Sequence, residues 1–270
     1  MSMSIDGKKI VVIKYGGSAL SKSDSIKNIS EDICYLKSKG MYPVIVHGGG
    51  PYISEEMKKS GKESLFIEGL RVTDKETVEI VKKVLIGQVN KDLVVEINKF
   101  KGNAIGISGI DGNLIEVSKK YINNMDLGFV GNIEKINKNI LKILIESGYT
   151  PVIAPLGVDE KNDVYNVNAD YGATHIATAL GAHTLIFLTD VAGILRDSND
   201  ESSLIEKIEI DEVDDYIEKG IISGGMIPKI KCCVKGIKDN VKKVYITNGK
   251  NKNCVRDVFF NKKLKKTLVV

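Results

Sequence analysis

Ile10-Val11-Val12-Ile13-Lys14-Tyr15-Gly16-Gly17 sets the architecture of this chain. Residues 10–13 have no polar break, the pattern of a strand covered on both faces. The strand runs into a lysine and a glycine pair. Downstream, Ile26, Ile29, Ile33 and Leu36 recur at steps of three and four, which predicts a helix with one apolar face, ended by Gly40. Residues 43–46 form a second strand, closed by His47-Gly48-Gly49-Gly50-Pro51.

The alternation continues to the end of the chain. Thr73-Asp74-Lys75-Glu76 reads as a capping box opening a helix whose buried stripe is Val78, Val81, Leu85, Val89 and Leu93, with Gly87 marking a bend or a close contact. Residues 104–108 and 114–118 flank Ile110-Asp111-Gly112-Asn113, which reads as a hairpin. Asn137 caps a helix carrying Ile140, Leu141 and Leu144, and Ala173, Ile176, Ala177 and Leu180 give another helical face. Residues 152–154, 185–188 and 244–246 are further strands. The expected fold is α/β: a three-layer α/β/α sandwich around an open, mainly parallel sheet, with one antiparallel hairpin. A boundary near Gly181-Ala182 divides it into lobes 1–181 and 182–270.

Bulk properties narrow the function. The 270 residues are 43% hydrophobic and 27% charged, enough for a sizeable core in one large domain or two small lobes. The net charge of +4 is a mild excess without the dense basic stripe of a nucleic-acid binder. Lys262, Lys263, Lys265 and Lys266 read as a solvated tail. Cys34, Cys232, Cys233 and Cys254 form no CxxC pair, so reduced thiols are expected and a zinc site is not. No leader-like segment and no apolar run of about 18 residues is present, which predicts a soluble, cytoplasmic protein without a membrane partner.

Chemistry concentrates at the strand ends, where open α/β sheets bind ligands. Glycine clusters there let backbone N–H groups approach an anion. Either cluster alone reads equally well as a tight turn; two on neighbouring strands, the first after Lys14, point to an anion site. P-loop, dinucleotide and protein-kinase signatures are all absent. Phosphoryl transfer needs positioning and charge neutralisation, which two cations flanking the migrating group supply. Lys14 is one candidate. Lys229, in Gly224-Gly225-Met226-Ile227-Pro228-Lys229, is the other. Asp170, at the start of a helix, is the carboxylate that could hold both, a role compatible with helix capping.

In order along the chain, VVIKYGGSAL at 11–20, HGGGP at 47–51, GLRVTD at 69–74, GQVNK at 87–91, GISGIDG at 106–112, YNVNAD at 165–170, LTDVAGIL at 188–195 and SGGMIPK at 223–229 resemble the N-acetylglutamate kinases of the amino-acid-kinase superfamily. The resemblance implies ATP-dependent phosphorylation of the γ-carboxylate of N-acetyl-L-glutamate, the second step of arginine biosynthesis, with Mg²⁺ carried mainly by the nucleotide phosphates and no protein metal ligands. It implies that Lys14 and Lys229 stabilise the transition state and that Asp170 organises them. Gly48, Gly49, Arg71 and Asn166 would bind the acyl acceptor, Arg71 as a bidentate clamp on a carboxylate. Gly16, Gly17, Asp190, Val191, Ala192, Gly193, Ile194, Leu195, Gly224, Gly225 and Met226 would serve the nucleotide.

The chain also departs from the family pattern. Only about eight residues precede the first strand, where arginine-inhibited members carry an extra helix that links dimers into hexamers. The family's Gly-Thr near the C-terminus reads Leu264-Lys265-Lys266-Thr267-Leu268, and its late Ile-Asp-Gly reads Thr247-Asn248-Gly249. The expectation is a homodimer insensitive to arginine. The rival readings are a carrier-linked aminoadipate kinase of lysine biosynthesis, which shares the scaffold, and a non-catalytic amino-acid or nucleotide sensor, which should have lost Lys14, Lys229 or Asp170. A nucleic-acid module has only the mild charge in its favour.

Overall fold

The computed structural model describes residues 7–16, 23–197 and 200–270. The first part of the chain runs through β1 (Lys9–Tyr15), α1 (Ser23–Ser38), β2 (Met41–His47), α2 (Gly50–Lys59), the short pair β3 (Phe66–Ile67) and β4 (Leu70–Arg71), and α3 (Lys75–Lys82). A π-helical turn, Lys83–Val89, joins α3 to α4 (Asn90–Lys99). There follow β5 (Ala104–Ser108), β6 (Ile115–Ile122), β7 (Met125–Ile136), α5 (Lys138–Glu146), β8 (Thr150–Ala154), β9 (Leu156–Val158), β10 (Val164–Asn166) and α6 (Ala169–Leu180). The remainder is β11 (Thr184–Thr189), β12 (Ile194–Leu195), β13 (Leu204–Ile205), β14 (Lys207–Ile208), α7 (Val213–Glu218), α8 (Met226–Lys238), β15 (Lys243–Asn248), α9 (Arg256–Phe260) and β16 (Lys266–Val269).

Eight strands form one sheet in the order β14-β16-β15-β11-β1-β2-β8-β5. All its pairings are parallel except β15 with β16. Alternation along β1 splits the core in two. Ile10 and Val12 face a layer containing α5, α6 and α8, while Val11, Ile13 and Tyr15 face α1, α2, α3 and α4. All five are at most 1% exposed, so each contributes roughly 1.5–3 kcal/mol of burial. This is the expected three-layer arrangement. Strands before residue 155 lie on one side of the β1–β11 contact and those after residue 183 on the other, within one continuous sheet.

Three local readings are corrected. Residues 104–108 and 114–118 do not pair with each other: β5 joins β8 in the main sheet, and β6 leaves for a small closed sheet of β10, β7, β6 and β9. The hairpin is β6–β7, turning at Asn123 and Asn124, both at positive φ (47° and 63°) as a two-residue hairpin loop demands. The cap of α3 is Asp74, which accepts from Thr77 N at 2.7 Å; the Thr73 hydroxyl instead donates to Arg71 O. Lys262, Lys263 and Lys265 are exposed as expected, but the segment is not a free tail: residues 266–269 are β16, and Lys266 Nζ donates to Val258 O. The expected caps at Asn137 and Gly40 are present, Asn137 accepting from Asn139 N and Gly40 sitting at φ 72° just past α1.

Candidate active site

The same alternation that buries β1 aims Lys14 at the layer of α6 and α8. Asp170 stands in the first turn of α6, behind an N-cap supplied by Asn168, whose side chain accepts from Asp170 N. Lys229 stands in the first turn of α8. The three meet. Lys229 Nζ donates to Asp170 Oδ2 at 2.6 Å, and Lys14 Nζ lies 2.9 Å from Oδ1 as an ion pair outside hydrogen-bond alignment. Burial raises the Asp170 pKa, but the Lys14 and Lys229 ammonium groups outweigh it and leave the carboxyl at about 2. Burial, opposed by Asp170, draws the Lys14 ammonium below its ordinary range. Lys229 also lies over the Phe187 ring, 5.3 Å from its centroid, a contact the sequence did not disclose.

Lys14 and Asp170 form one wall of a cleft of about 210 Å³. Gly48, Gly49, Arg71 and Asn166 line the same cleft, so every residue expected to hold the acyl acceptor is there. Gly48 N–H donates to Tyr15 O at 2.7 Å, which stitches the two glycine turns together. A Cβ on Gly16 would stand 2.6 Å from Lys14 Nζ, and one on Gly49 would stand 2.5 Å from Leu85 Cδ2, so both turns need glycine to let neighbours approach.

Arg71 is 6% exposed and has no carboxylate partner among the described residues. Nη1 donates to Ser64 Oγ (2.5 Å) and Met57 Sδ (3.2 Å), and Nη2 to Ser54 Oγ (2.9 Å) and Gly50 O (3.0 Å). Phe66 covers the guanidinium at 4.7 Å. A buried cation held only by neutral groups is incompletely compensated and favours an incoming anion. Ser54, Ser64 and Met57 carried no signal in the sequence, because their relevance depends on where Arg71 folds. Asn166 donates through Nδ2 to Thr73 Oγ1 at 3.2 Å.

The residues expected to serve the nucleotide lie at the ends of β11 and β15 and the start of α8. Asn248 Nδ2 donates to Asp190 O and Gly249 N to Thr189 O, joining the two strand ends. Asp190 and Val191 are exposed and Ala192 is half-buried. Gly193 and Ile194 are buried against Thr267, whose hydroxyl accepts from Ile194 N and donates to Ile205 O. Leu195 continues into β12. Gly224 and Gly225 precede α8, which Met226 begins, and the glycines border a second cleft of about 500 Å³ with Tyr171, Pro228 and Lys231. Gly17 lies outside the described residues. Among the described residues no group of three or more His, Cys, Asp or Glu side chains is placed to hold a metal ion. Nor, among them, is any helix long and apolar enough to cross a membrane.

A buried carboxylate clamping two lysines at the strand ends of a parallel sheet, beside a glycine-lined cleft, is an arrangement for handling a strongly anionic group. The family model "Amino acid kinase family" matches residues 9–248, and the chain belongs to that family. It is 46% identical over 257 residues to the acetylglutamate kinase of Clostridium acetobutylicum, covering 94% of this chain and 87% of that protein. A solved Streptococcus mutans protein superposes with a TM-score of 0.81 at 31% identity, covering 97% of this chain and 98% of that one. Carbamate kinase from Giardia lamblia, at 15% identity and a TM-score of 0.70 over 98% of this chain and 99% of that one, shares the fold.

Proposed function

We propose that this chain transfers the γ-phosphoryl group of ATP to the γ-carboxylate of N-acetyl-L-glutamate, the second step of arginine biosynthesis. The observation that carries the reading is Asp170 paired with both Lys14 and Lys229, with Lys14 and Asp170 at the wall of a cleft that also contains Arg71, Asn166 and the Gly48–Gly49 backbone. The acceptor carboxylate is ionised at neutral pH, so its oxygen attacks phosphorus without a general base, and the bond to the β-phosphate oxygen breaks to release ADP. Lys14 and Lys229 neutralise charge on the migrating group. Asp170 acts by holding them; a carboxyl at about 2 is a poor proton acceptor near neutrality. Arg71 takes a carboxylate of the acceptor. A two-point grip through both terminal nitrogens exchanges one present neutral partner at each, because each already has two. Asn166 meets the acceptor's other polar groups.

The ends of β11 and β15 and the start of α8 receive the nucleotide. Mg²⁺ arriving with the nucleotide would supply further charge neutralisation there. The halves 1–181 and 182–270 then serve acceptor and nucleotide respectively. A cytoplasmic homodimer insensitive to arginine completes the reading. The engagement of Thr267 by Ile194 and Ile205 supports a packing role for the segment that departs from the family pattern. Sedimentation and assays with added arginine check these points.

The deciding experiment is a hydroxylamine trap with ATP, Mg²⁺ and a panel of acyl acceptors that includes carrier-linked aminoadipate. Hydroxamate from N-acetylglutamate alone is the expected result. No hydroxamate, or hydroxamate only from the carrier-linked acceptor, overturns the reading.

A further inference from the structure

His47 ends β2 on the face opposite Lys14's layer. Val44 and Val46 pack toward α6, while Ile45 and His47 point toward α4. The imidazole is fully buried, and both ring nitrogens are engaged. Nε2 lies 3.2 Å from Asn90 Nδ2, and Nδ1 lies 2.8 Å from Gly48 O. Asn90 itself is 1% exposed and sits immediately after the π-helical turn. Its amide nitrogen also reaches Val152 O (2.9 Å) and Ile107 O (3.3 Å), so the amide bridges β2, β8 and β5 from above. A Cβ on Gly106 would stand 1.9 Å from Asn90 Oδ1, so β5 leaves the space the amide occupies.

These contacts fix the protonation pattern. Carbonyl neighbours oblige the Asn90 nitrogen to be the donor; its two hydrogens are shared among three acceptors, and an NH2 group cannot accept, so His47 Nε2 carries no proton. Its proton is then on Nδ1 and is donated to Gly48 O. Burial, assisted by Lys91, holds the ring pKa down to about 4 against the opposing Gly48 bond, so the imidazole is neutral under working conditions.

The peptide after Gly48 is trans and planar, so its N–H points away from its C=O. A carbonyl tied to His47 below therefore turns the Gly49 N–H upward, toward the cleft that Gly48 and Gly49 line. No protein acceptor for that N–H is found among the described residues. The π turn supports the same geometry from the side, since Leu85 and Val89 pack against Gly49. Single π turns inside α-helices recur at functional sites.

We propose that His47 and Asn90 are positioning residues: Asn90 fixes the Nδ1–H tautomer of His47, His47 fixes the Gly48–Gly49 peptide, and the Gly49 N–H is thereby aimed at an anionic oxygen of the acyl acceptor. The identity of that acceptor rests on the function proposed above; the tautomer does not.

The test uses the whole protein and begins with the wild type. Nitrogen-15 spectra of the histidine rings, of which there are three, read the tautomer directly. His47 should show an Nδ1-protonated, Nε2-bare ring, unchanged from pH 5 to 8. Adding N-acetylglutamate should shift the Gly49 amide proton downfield. In Asn90→Leu the single tautomer should be lost, and KM for the acceptor should rise tenfold or more while KM for ATP changes less than threefold. An Nε2-protonated ring in the wild type, an unmoved Gly49 amide, or an Asn90→Leu protein with a mixed tautomer and normal acceptor KM would each overturn the proposal. Should Asn90→Leu fail to fold, the two wild-type measurements still decide. A protein with the expected tautomer that makes no hydroxamate from any acceptor condemns the assigned reaction, leaving the ring assignment standing.

Discussion

Lys229 and Asp170, separated by 59 positions in the chain, share a 2.6 Å hydrogen bond at the place where α6 and α8 both begin. Helix starts present positive dipole ends, so an acidic group in the first turn of α6 is favoured even before its lysine partners are counted. The cationic side of the cluster is then free to face an incoming anion. Lys229→Ala should lower kcat by about two to three orders of magnitude, as when one preorganised transition-state donor is removed. Circular dichroism should remain that of the wild type. Unchanged turnover in a folded variant would remove Lys229 from the mechanism.

Lys14 makes its own pH signature. Its ammonium is drawn below the ordinary lysine range by burial, against the pull of Asp170. In the proposed reaction the protonated form is the one that stabilises charge, so kcat should fall as pH rises through that lowered value. Lys14→Arg keeps a cation that does not deprotonate. The alkaline limb should therefore vanish in Lys14→Arg, even if the rate at neutral pH drops. A limb that persists belongs to another group.

Gly16→Ala tests how tightly the first glycine turn is built. Its Cβ would stand 2.6 Å from Lys14 Nζ and 2.9 Å from Cε, both at the far end of a flexible side chain. The lysine can swing away, so the fold should survive, with Tm lowered by only a few degrees. The ammonium cannot then remain in place, so kcat should drop at least tenfold, with little change in KM for the acceptor. Gly193→Ala is the contrasting case. There the Cβ would meet Thr267 backbone N at 2.9 Å as well as its hydroxyl, so the expected cost is stability, about 1–3 kcal/mol. Urea unfolding of both variants separates the two effects.

What could be read beforehand follows the physics of each signal. Buried parallel strands announce themselves, since both faces are apolar, and residues 10–13 read as a strand for that reason. The β6–β7 hairpin was missed although Asn123-Asn124 marks its turn. The Asp111-Gly112 pair made a nearer hairpin attractive, and nothing local reveals that β5 finds a partner 46 positions away in β8, Ala104 opposite Thr150. The π turn left a trace: Val81, Leu85, Val89 and Leu93 advance by fours, and in an α-helix each such step overshoots a full turn by about 40°. One inserted residue realigns the stripe, which is buried along its whole length. Lys14 stands out because it closes a buried strand, Asp170 because it opens a helix, and Lys229 because a glycine turn and Pro228 lead into it. Ser54 and Ser64 did not, since a serine becomes a ligand of Arg71 only through the packing of α2 against β4.

Arg71→Lys should raise KM for N-acetylglutamate about 10- to 100-fold, with kcat less affected. The guanidinium spreads its donors over Ser54, Ser64, Gly50 and Met57 and stacks on Phe66. An ammonium keeps the charge but neither the fork nor the stacking. The loss of one charge-assisted bond, about 1.5–3 kcal/mol, sets that range. An unchanged acceptor KM would place the carboxylate elsewhere.

His47 and Asp32 should pull stability in opposite directions over nearly the same pH range. Buried His47 has a folded pKa of about 4 against 6.5 for the free group. Between those values the unfolded chain binds more protons, so this contribution is present above 6.5 and is lost as pH falls toward 4. Buried Asp32, which accepts from Val255 N at 2.9 Å, is raised by burial to about 6 from 3.8. There the folded chain binds more protons, so its contribution is present below 3.8 and is lost as pH rises toward 6. Each amounts to roughly 3 kcal/mol over its window at 1.36 kcal/mol per unit, and the two slopes oppose each other, with His175 and His183, also lowered by burial, adding to the sign of His47. Asp170, at about 2, acts below this range. Asp32→Asn should therefore unmask a stability that climbs from pH 4 to 6.5, and His47→Gln one that declines from pH 4 to 6. Urea midpoints at pH 4.5, 5.5 and 6.5 measure both slopes. Parallel profiles for the two variants would mean that neither group carries the assigned shift.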